Sequence, residues 1–269
     1  MERAAENLLL STFKAWPHGR STRFLITPGG FLRSDLPSGL SGCSGWNSSK
    51  SDFGIIQRAA EKVIRRIVTP RVLKQAVGKA HSLTIGIDLV NSAELQVQLV
   101  AFIRTADGRT LRWTGKSYPT ANEEKRLIQV VNLESHCLHF EGDRVLILGC
   151  HDLNMFSPRG WKNQIPSGER RKRCSAMRFI VASFRPSVVL QHPHTTDSVR
   201  IWRQPWASLE KCLTLNDWAS GICFYREDGR RGTLEEVATA TRRTKNGLDF
   251  VFRTISDRID GPSLLVEAS

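Results

Sequence analysis

No stretch of the sequence is apolar for long enough to cross a bilayer, which takes about 20 consecutive residues in a helix. No CxxC pair occurs among the six cysteines, and nothing recurs at a fixed period. Scattered cysteines without such pairs exclude a disulfide framework and a zinc knuckle, and point to reduced thiols. The opening residues, Met1 to Trp16, lack the apolar h-region of a signal peptide. A cytoplasmic protein without a membrane partner is the expectation. Acidic residues are also few: 26 Asp and Glu stand against 39 Lys and Arg, a net charge of +13. Such a field can attract nucleic acid, anionic lipid or acidic substrates. The basic residues are dispersed, however, and the one dense cluster, Arg170–Arg171–Lys172–Arg173, stands at the front of a helical pattern. That run reads as a solvated helix face, which places nucleic-acid binding third among the readings.

What is present suits an ordinary globular chain: 40% hydrophobic and 24% charged residues over 269 positions, enough for one large α/β domain or two small ones. The spacing of Leu8, Leu9, Phe13 and Trp16 predicts a helix over residues 2–16, ended by Pro17. A short strand, Phe24 to Ile26, runs into Pro28–Gly29–Gly30. Residues 33–52 are rich in Ser and Gly and read as a long flexible loop. Helices follow at 55–67 and 72–79, then three strands at 82–90, 95–104 and 110–114, the last two joined by the hairpin signal Asp107–Gly108. A surface loop or helical turn leads through Arg126 to strands at 138–140 and 145–148. Further on come a helix at 169–184, a strand at 187–191, a helix at 198–213 with Trp202, Trp206 and Leu209, a strand at 220–225, a helix at 235–242 and a strand at 248–253. Residues 254–269 read as a tail. Hairpins mixed with helix-linked strands argue for α/β layers within a single domain over 1–269.

The stretch Gly142-Asp143-Arg144-Val145-Leu146-Ile147-Leu148-Gly149-Cys150-His151-Asp152-Leu153 is the most informative. Four consecutive apolar residues fit a strand buried on both faces. Gly149 then allows a sharp turn and Cys150 stands at the strand's carboxyl end, where open α/β sheets place ligands and nucleophiles. A buried structural cysteine has the same pattern, since free Cys is among the most buried residue types.

Three stretches in order resemble the carbon–nitrogen hydrolase (nitrilase and amidase) superfamily. Gly149-Cys150-His151-Asp152-Leu153 is similar to the family's nucleophile segment. Phe102-Ile103 through Asp107-Gly108-Arg109 to Trp113-Thr114-Gly115-Lys116 resembles the strand, turn and strand that end in its catalytic lysine, and Glu124 follows at the distance of a supporting glutamate. Ala76 through Ser82-Leu83-Thr84-Ile85-Gly86-Ile87-Asp88 looks like its helix leading into a strand and turn. The resemblance spans about residues 24–225. It implies an α-β-β-α sandwich of two mixed sheets flanked by helices, and a homodimer or higher homo-oligomer. It also implies hydrolysis of a small amide or nitrile without a cofactor, with Cys150 as nucleophile, Lys116 stabilising the oxyanion and Glu124 in support.

The sequence departs from the family in two places. The strand expected before the opening helix is missing. In Phe24-Leu25-Ile26-Thr27-Pro28-Gly29-Gly30-Phe31, Gly29 also stands where the family's general base, a glutamate after proline, would be. A glycine neither accepts a proton nor orients a thiol, so turnover of simple amides is expected to be weak, and a glutamate restored at position 29 to raise it. A second reading follows: a catalytically impaired relative that keeps the fold for binding or assembly. His151, Asp152, His192 and His194 are expected to line the substrate site. His192-Pro193-His194 with His151-Asp152 has the residue types of a metal site, but H-x-H spacing is a weak signal and no metal is expected. His136 and His139 read as structural.

Overall fold

The computed structural model describes residues 2–40, 52–92, 94–120, 123–157, 168–194 and 204–209, and the backbone alone of 50–51 and of three short strands at 217–220, 251–253 and 265–267. Helix α1 spans Glu2–Lys14, followed by strands β1 (Thr22–Ile26) and β2 (Leu32–Asp35). Then come α2 (Lys50–Ile67), α3 (Pro70–Ala76), β3 (Ala80–Val90), β4 (Gln96–Arg104), β5 (Thr110–Gly115), β6 (Cys137–Phe140) and β7 (Asp143–Leu148). Helix α4 (Gly168–Phe184) leads to β8 (Val188–Gln191), and β9 (Asp217–Ser220), β10 (Val251–Arg253) and β11 (Leu265–Glu267) follow.

Two strand faces, both apolar, account for the layering. In β4, Val97, Leu99, Ala101 and Ile103 pack with residues of α1, α2 and α3, while the alternate residues Val100 and Phe102 point the other way. In β7, Leu146 and Leu148 pack with Cys174, Met177 and Val181 of α4, while Val145 and Ile147 join Val100 and Phe102. Side chains two apart share a face of a strand, so strands that are apolar at every position must be covered on both sides. The result is helices, sheet, sheet, helix. Phe24, Phe102 and Phe140 meet in the central layer, the last two edge-on with ring centroids 4.9 Å apart.

The first sheet has the order β1-β3-β4-β5, with β2 also on β3. Strands β3, β4 and β5 are antiparallel neighbours; β1 and β2 both run parallel to β3, pairing Thr22–Ile26 with Ala80–Thr84 and Leu32–Asp35 with Ile87–Val90. They are therefore one edge strand interrupted at Pro28–Gly30, where proline has no N–H for the ladder and Gly30 takes φ +64°. The second sheet has the order β6-β7-β8-β9, with the last three strands parallel. β10 and β11 pair with each other.

Local chemistry explains most boundaries. In α2, Ile56, Ala60, Val63, Ile64 and Ile67 recur at helical spacing and are buried, while Arg58, Lys62, Arg65 and Arg66 are exposed. Thr69 caps α3 by accepting from the Val72 amide at 3.3 Å, and Pro70 occupies the first turn, where its missing donor costs nothing. The hairpin at Asp107–Gly108 forms as expected, with Gly108 at φ +69° and the Asp107 carboxylate accepting from the Arg109 amide.

Some expectations need correction. Residues 33–52 are not one loop: 32–35 form β2, recruited by the free edge of β3, and Lys50–Asp52 open α2, so only 41–49 remain outside the described residues. Of the strand read at 220–225 only Ser220 is described, as the last residue of β9, and 221–225 lie outside the described residues; Leu265–Glu267, within the expected tail, is a strand. Of the helix at 198–213, residues 204–209 are described and helical; the helix at 235–242 lies outside the described residues. Among the described residues no helix is long and apolar enough to cross a membrane.

The basic run on α4 is not simply a solvated face. Arg170 is 5% exposed; it pairs with Glu124 and lies over the Tyr118 ring, 5.5 Å from its centroid. Arg173 is half-buried and donates to the Val130 carbonyl at 2.9 Å, whereas Arg171 and Lys172 are exposed. Helical geometry explains the division, since residues three apart share a face. Arg170→Gln with Arg173→Gln is expected to lower stability by about 2–4 kcal/mol, chiefly through the broken buried pair, since the Val130 carbonyl keeps the Ser117 hydroxyl as a donor. Arg171→Gln with Lys172→Gln should stay within about 0.5 kcal/mol. Urea denaturation of the two double variants checks the difference.

Candidate active site

The turn after β7 is built around one carboxylate. A Cβ at Gly149 would lie 2.8 Å from the Lys116 amide nitrogen and 3.0 Å from Asp152 Oδ2, so glycine is what lets the end of β7 press against the backbone after β5. Asp152 is fully buried; its Oδ1 accepts from the Ser117 and Tyr118 amides at 2.8 Å, and its Oδ2 from the Gly149 amide at 2.9 Å. Burial pushes the Asp152 pKa up against the pull of His136 and these three amides. His136, also fully buried, bridges the Ile147 carbonyl and Ser117 Oγ, and burial lowers its pKa. Between Gly149 and the short 3-10 turn at Asp152–Phe156 stand Cys150, 5% exposed, and His151, at φ +63°. A non-glycine residue in the left-handed region is uncommon and signals a position held by its surroundings.

Lys116 follows β5 and is 1% exposed. Its Nζ donates to both oxygens of Glu123 at 2.6 Å, and Thr120 supplies that carboxylate with its amide and hydroxyl at 2.8 and 2.7 Å. Burial pushes the Glu123 carboxyl up, but the Lys116 charge and these donors outweigh it and hold the pKa at about 2.

The third component comes from the opposite side, at the break in the edge strand. Thr27 Oγ1 accepts from the Gly86 amide at 3.0 Å, and a Cβ at Gly86 would be 2.4 Å from the Pro28 carbonyl oxygen. The chain at Pro28–Gly30 therefore crosses β3 at a glycine. There it meets the end of β8: the Gly29 amide donates to the Pro193 carbonyl at 2.9 Å, and His192 Nδ1 meets the Thr27 carbonyl at 2.7 Å. His194 lies on this glycine backbone. Its Nε2 is 2.8 and 2.7 Å from the two oxygens of Asp88, and its backbone N–H donates to Cys150 Sγ at 3.5 Å.

Cys150 is thus surrounded by groups that favour a thiolate. Burial pushes its pKa up, but hydrogen bonding from His151 and His194 and the positive charge of Lys116 outweigh it, and the thiol ionises well below its ordinary range. Burial likewise pulls His194 down, but Asp88 and Cys150 raise its pKa to about 10. A buried, low-pKa thiol among cations is the environment of a reactive cysteine rather than a structural one. Cys137 and Cys174 are the contrast: burial raises both.

Several expected site residues are placed differently. Glu124 does not meet Lys116; it pairs with Arg170, and the adjacent Glu123 holds the lysine, a difference of one position that loop spacing could not reveal. Asp152 is not available to a substrate, because both oxygens are bound by backbone amides. His192, 1% exposed, is tied to the Thr27 carbonyl, and burial drops its pKa to about 4, which keeps it neutral. His151 and His194 do stand beside Cys150. Asp88 was legible only as the end of a strand; its pairing with His194 joins residues 106 positions apart. Among the described residues no group of three or more His, Cys, Asp or Glu is arranged to hold a metal ion.

The architecture is that of a nitrilase-like sandwich: two mixed sheets face to face between helices. No family model and no curated protein matches the sequence. Among solved structures, a double mutant of the amidase from Nesterenkonia sp. AN1 in complex with acrylamide superposes with a TM-score of 0.50 at 12% identity, over 82% of this chain and 69% of that one. A single mutant of the same amidase, from the nitrilase superfamily, gives 0.49 at 13% identity over 86% and 71%. A carbon–nitrogen hydrolase from Helicobacter pylori G27 gives 0.42 at 9% over 90% and 72%.

Proposed function

We propose that this protein is a thiol-dependent hydrolase of carbon–nitrogen bonds in small amides, with Cys150 as nucleophile. The observation that carries the reading is the Cys150 turn: a buried cysteine after a parallel strand, held as thiolate beside Lys116, His151 and His194. The amide-processing neighbours, an acrylamide complex among them, agree with this reading. In the proposed cycle the thiolate attacks the carbonyl carbon and the π pair moves to oxygen. Lys116, fixed by Glu123, offsets the charge of the resulting oxyanion. Collapse expels the amine and leaves a thioester on Cys150, which water then cleaves.

The test is turnover of a panel of small amides and nitriles by native protein and Cys150→Ala, with acid-quenched mass spectrometry for an acyl adduct. Native protein should form the adduct on Cys150, and Cys150→Ala should lose at least about a thousandfold in rate. Equal turnover by the two proteins would remove Cys150 as nucleophile. Native protein inert to the whole panel would favour the second reading, a fold kept for binding or assembly, which the missing glutamate at Gly29 motivates.

A further inference from the structure

The proposed cycle lacks a group to carry protons, because the position expected to supply a glutamate is Gly29. The space beside Gly29 is not vacant. A Cβ there would lie 2.7 Å from the His192 carbonyl oxygen, 2.8 Å from His194 Nδ1 and 2.9 Å from His194 Cε1. A Cβ on Gly30 would lie 2.9 Å from His194 Cδ2 and 3.0 Å from Asp88 Oδ2. The His194 ring therefore fills the volume into which a side chain at position 29 would project. We propose that His194, oriented by Asp88, is the general base and acid for Cys150, and that Gly29 is glycine to make room for it. The proposal rests on the hydrolase reading but concerns a residue that reading does not need to identify.

Three observations carry it. First, both oxygens of Asp88 face Nε2 of His194, which fixes the ring's orientation and leaves Nδ1 as the nitrogen free for chemistry. Second, Nδ1 is buried and, apart from its interaction with Cys150, has no hydrogen-bond partner, a costly state for a ring nitrogen unless it serves a reacting group. Third, the same residue's backbone N–H already donates to Cys150 Sγ at 3.5 Å, so the ring is anchored next to the sulfur. Hydrogen bonds between catalytic groups are often loose before substrate binds and tighten in the complex.

The protons balance. At rest His194 is an imidazolium and Cys150 a thiolate. The thiolate forms the C–S bond, and the tetrahedral intermediate collapses as Nδ1–H passes its proton to the leaving nitrogen and the C–N bond breaks. Neutral Nδ1 then accepts a proton from the water that attacks the thioester. The C–S bond breaks, the thiolate returns, and the products are an amine and a carboxylic acid. Asp88 takes no part in these transfers and acts as a positioning residue.

The charged and titratable groups around this pair are Asp88, Lys116 with its partner Glu123, His151 and the neutral His192. Two readouts separate the base from the hydrolase reading. The first needs no substrate: alkylation of Cys150 by iodoacetamide, followed by mass spectrometry from pH 4 to about 10. Native protein should alkylate with a midpoint well below the ordinary thiol value of about 8.5. His194→Gln should move the midpoint up by at least about one pH unit, and Asp88→Asn in the same direction by less. The second readout compares a small amide with p-nitrophenyl acetate, whose leaving group departs without a proton. His194→Gln should lose at least about a hundredfold on the amide but under about tenfold in acylation by the ester, and added imidazole should restore part of the loss in His194→Ala. Gly29→Glu should displace the ring and lower amide turnover rather than raise it. An alkylation midpoint unmoved in both His194→Gln and Asp88→Asn, or a gain of activity in Gly29→Glu, would overturn the proposal. A shifted midpoint without amide turnover would sink the hydrolase reading and leave the thiolate–imidazolium pair standing.

Discussion

Lys116→Met is expected to cost the fold about 3–5 kcal/mol, besides removing the oxyanion stabilisation proposed for it. Lys116 is 1% exposed and its partner Glu123 has a side chain 19% exposed, so truncating the lysine leaves a carboxylate with little solvent to take its place. The double variant Lys116→Met, Glu123→Leu should recover much of the stability, because two apolar groups of similar size replace a buried pair without desolvation cost. It should recover none of the hydrolysis. The pair also predicts an acid limb. Glu123 is held at about 2 against an ordinary value of 4.5, so its contribution is fully present above 4.5 and is lost as pH falls toward 2. That contribution is on the order of 3 kcal/mol at neutral pH. Urea denaturation of native protein and both variants, at neutral pH and near pH 3, measures each effect. Equal stability of native protein and Lys116→Met would show that the pair does not hold the site together.

Asp152→Ala should be at least as damaging. The carboxylate is the acceptor for the Ser117, Tyr118 and Gly149 amides, and an unsatisfied buried donor costs about 1–3 kcal/mol. With three donors orphaned, a loss of more than about 3 kcal/mol is expected, with a marked fall in melting temperature. Asp152→Asn is the sharper variant. Its carbonyl oxygen can keep the Ser117 and Tyr118 bonds, but its amide then faces the Gly149 N–H donor to donor. It should lie between the native protein and Asp152→Ala in stability, with Cys150 alkylated more slowly because the turn no longer holds the sulfur in place. If Asp152 instead bound substrate, Asp152→Asn would raise KM and leave the melting temperature unchanged.

Comparison of particular residues shows where the sequence sufficed. The burial of β4 and β7 on both faces is written in their apolar runs, and the α2 stripe in Ile56, Ala60, Val63, Ile64 and Ile67. These patterns survive because burial is local to an element: each strand or helix announces how many of its faces must be covered. Gly149–Cys150 was legible for the same reason, as an apolar strand ended by a glycine before a cysteine. β2 was not, because Leu32–Asp35 becomes a strand only when the far half of the β3 edge offers it hydrogen bonds. Glu123 and Glu124 are indistinguishable in sequence; which one meets Lys116 depends on where the backbone turns at Thr120. Asp152 and His192 looked like substrate ligands because polar residues at strand ends often are, yet the fold binds them to backbone groups. Gly29 is the clearest division. That no carboxylate stands there can be read from the chain alone. What fills the space depends on the fold, because His194 and Asp88 arrive from different sheets and no spacing along the chain records their approach.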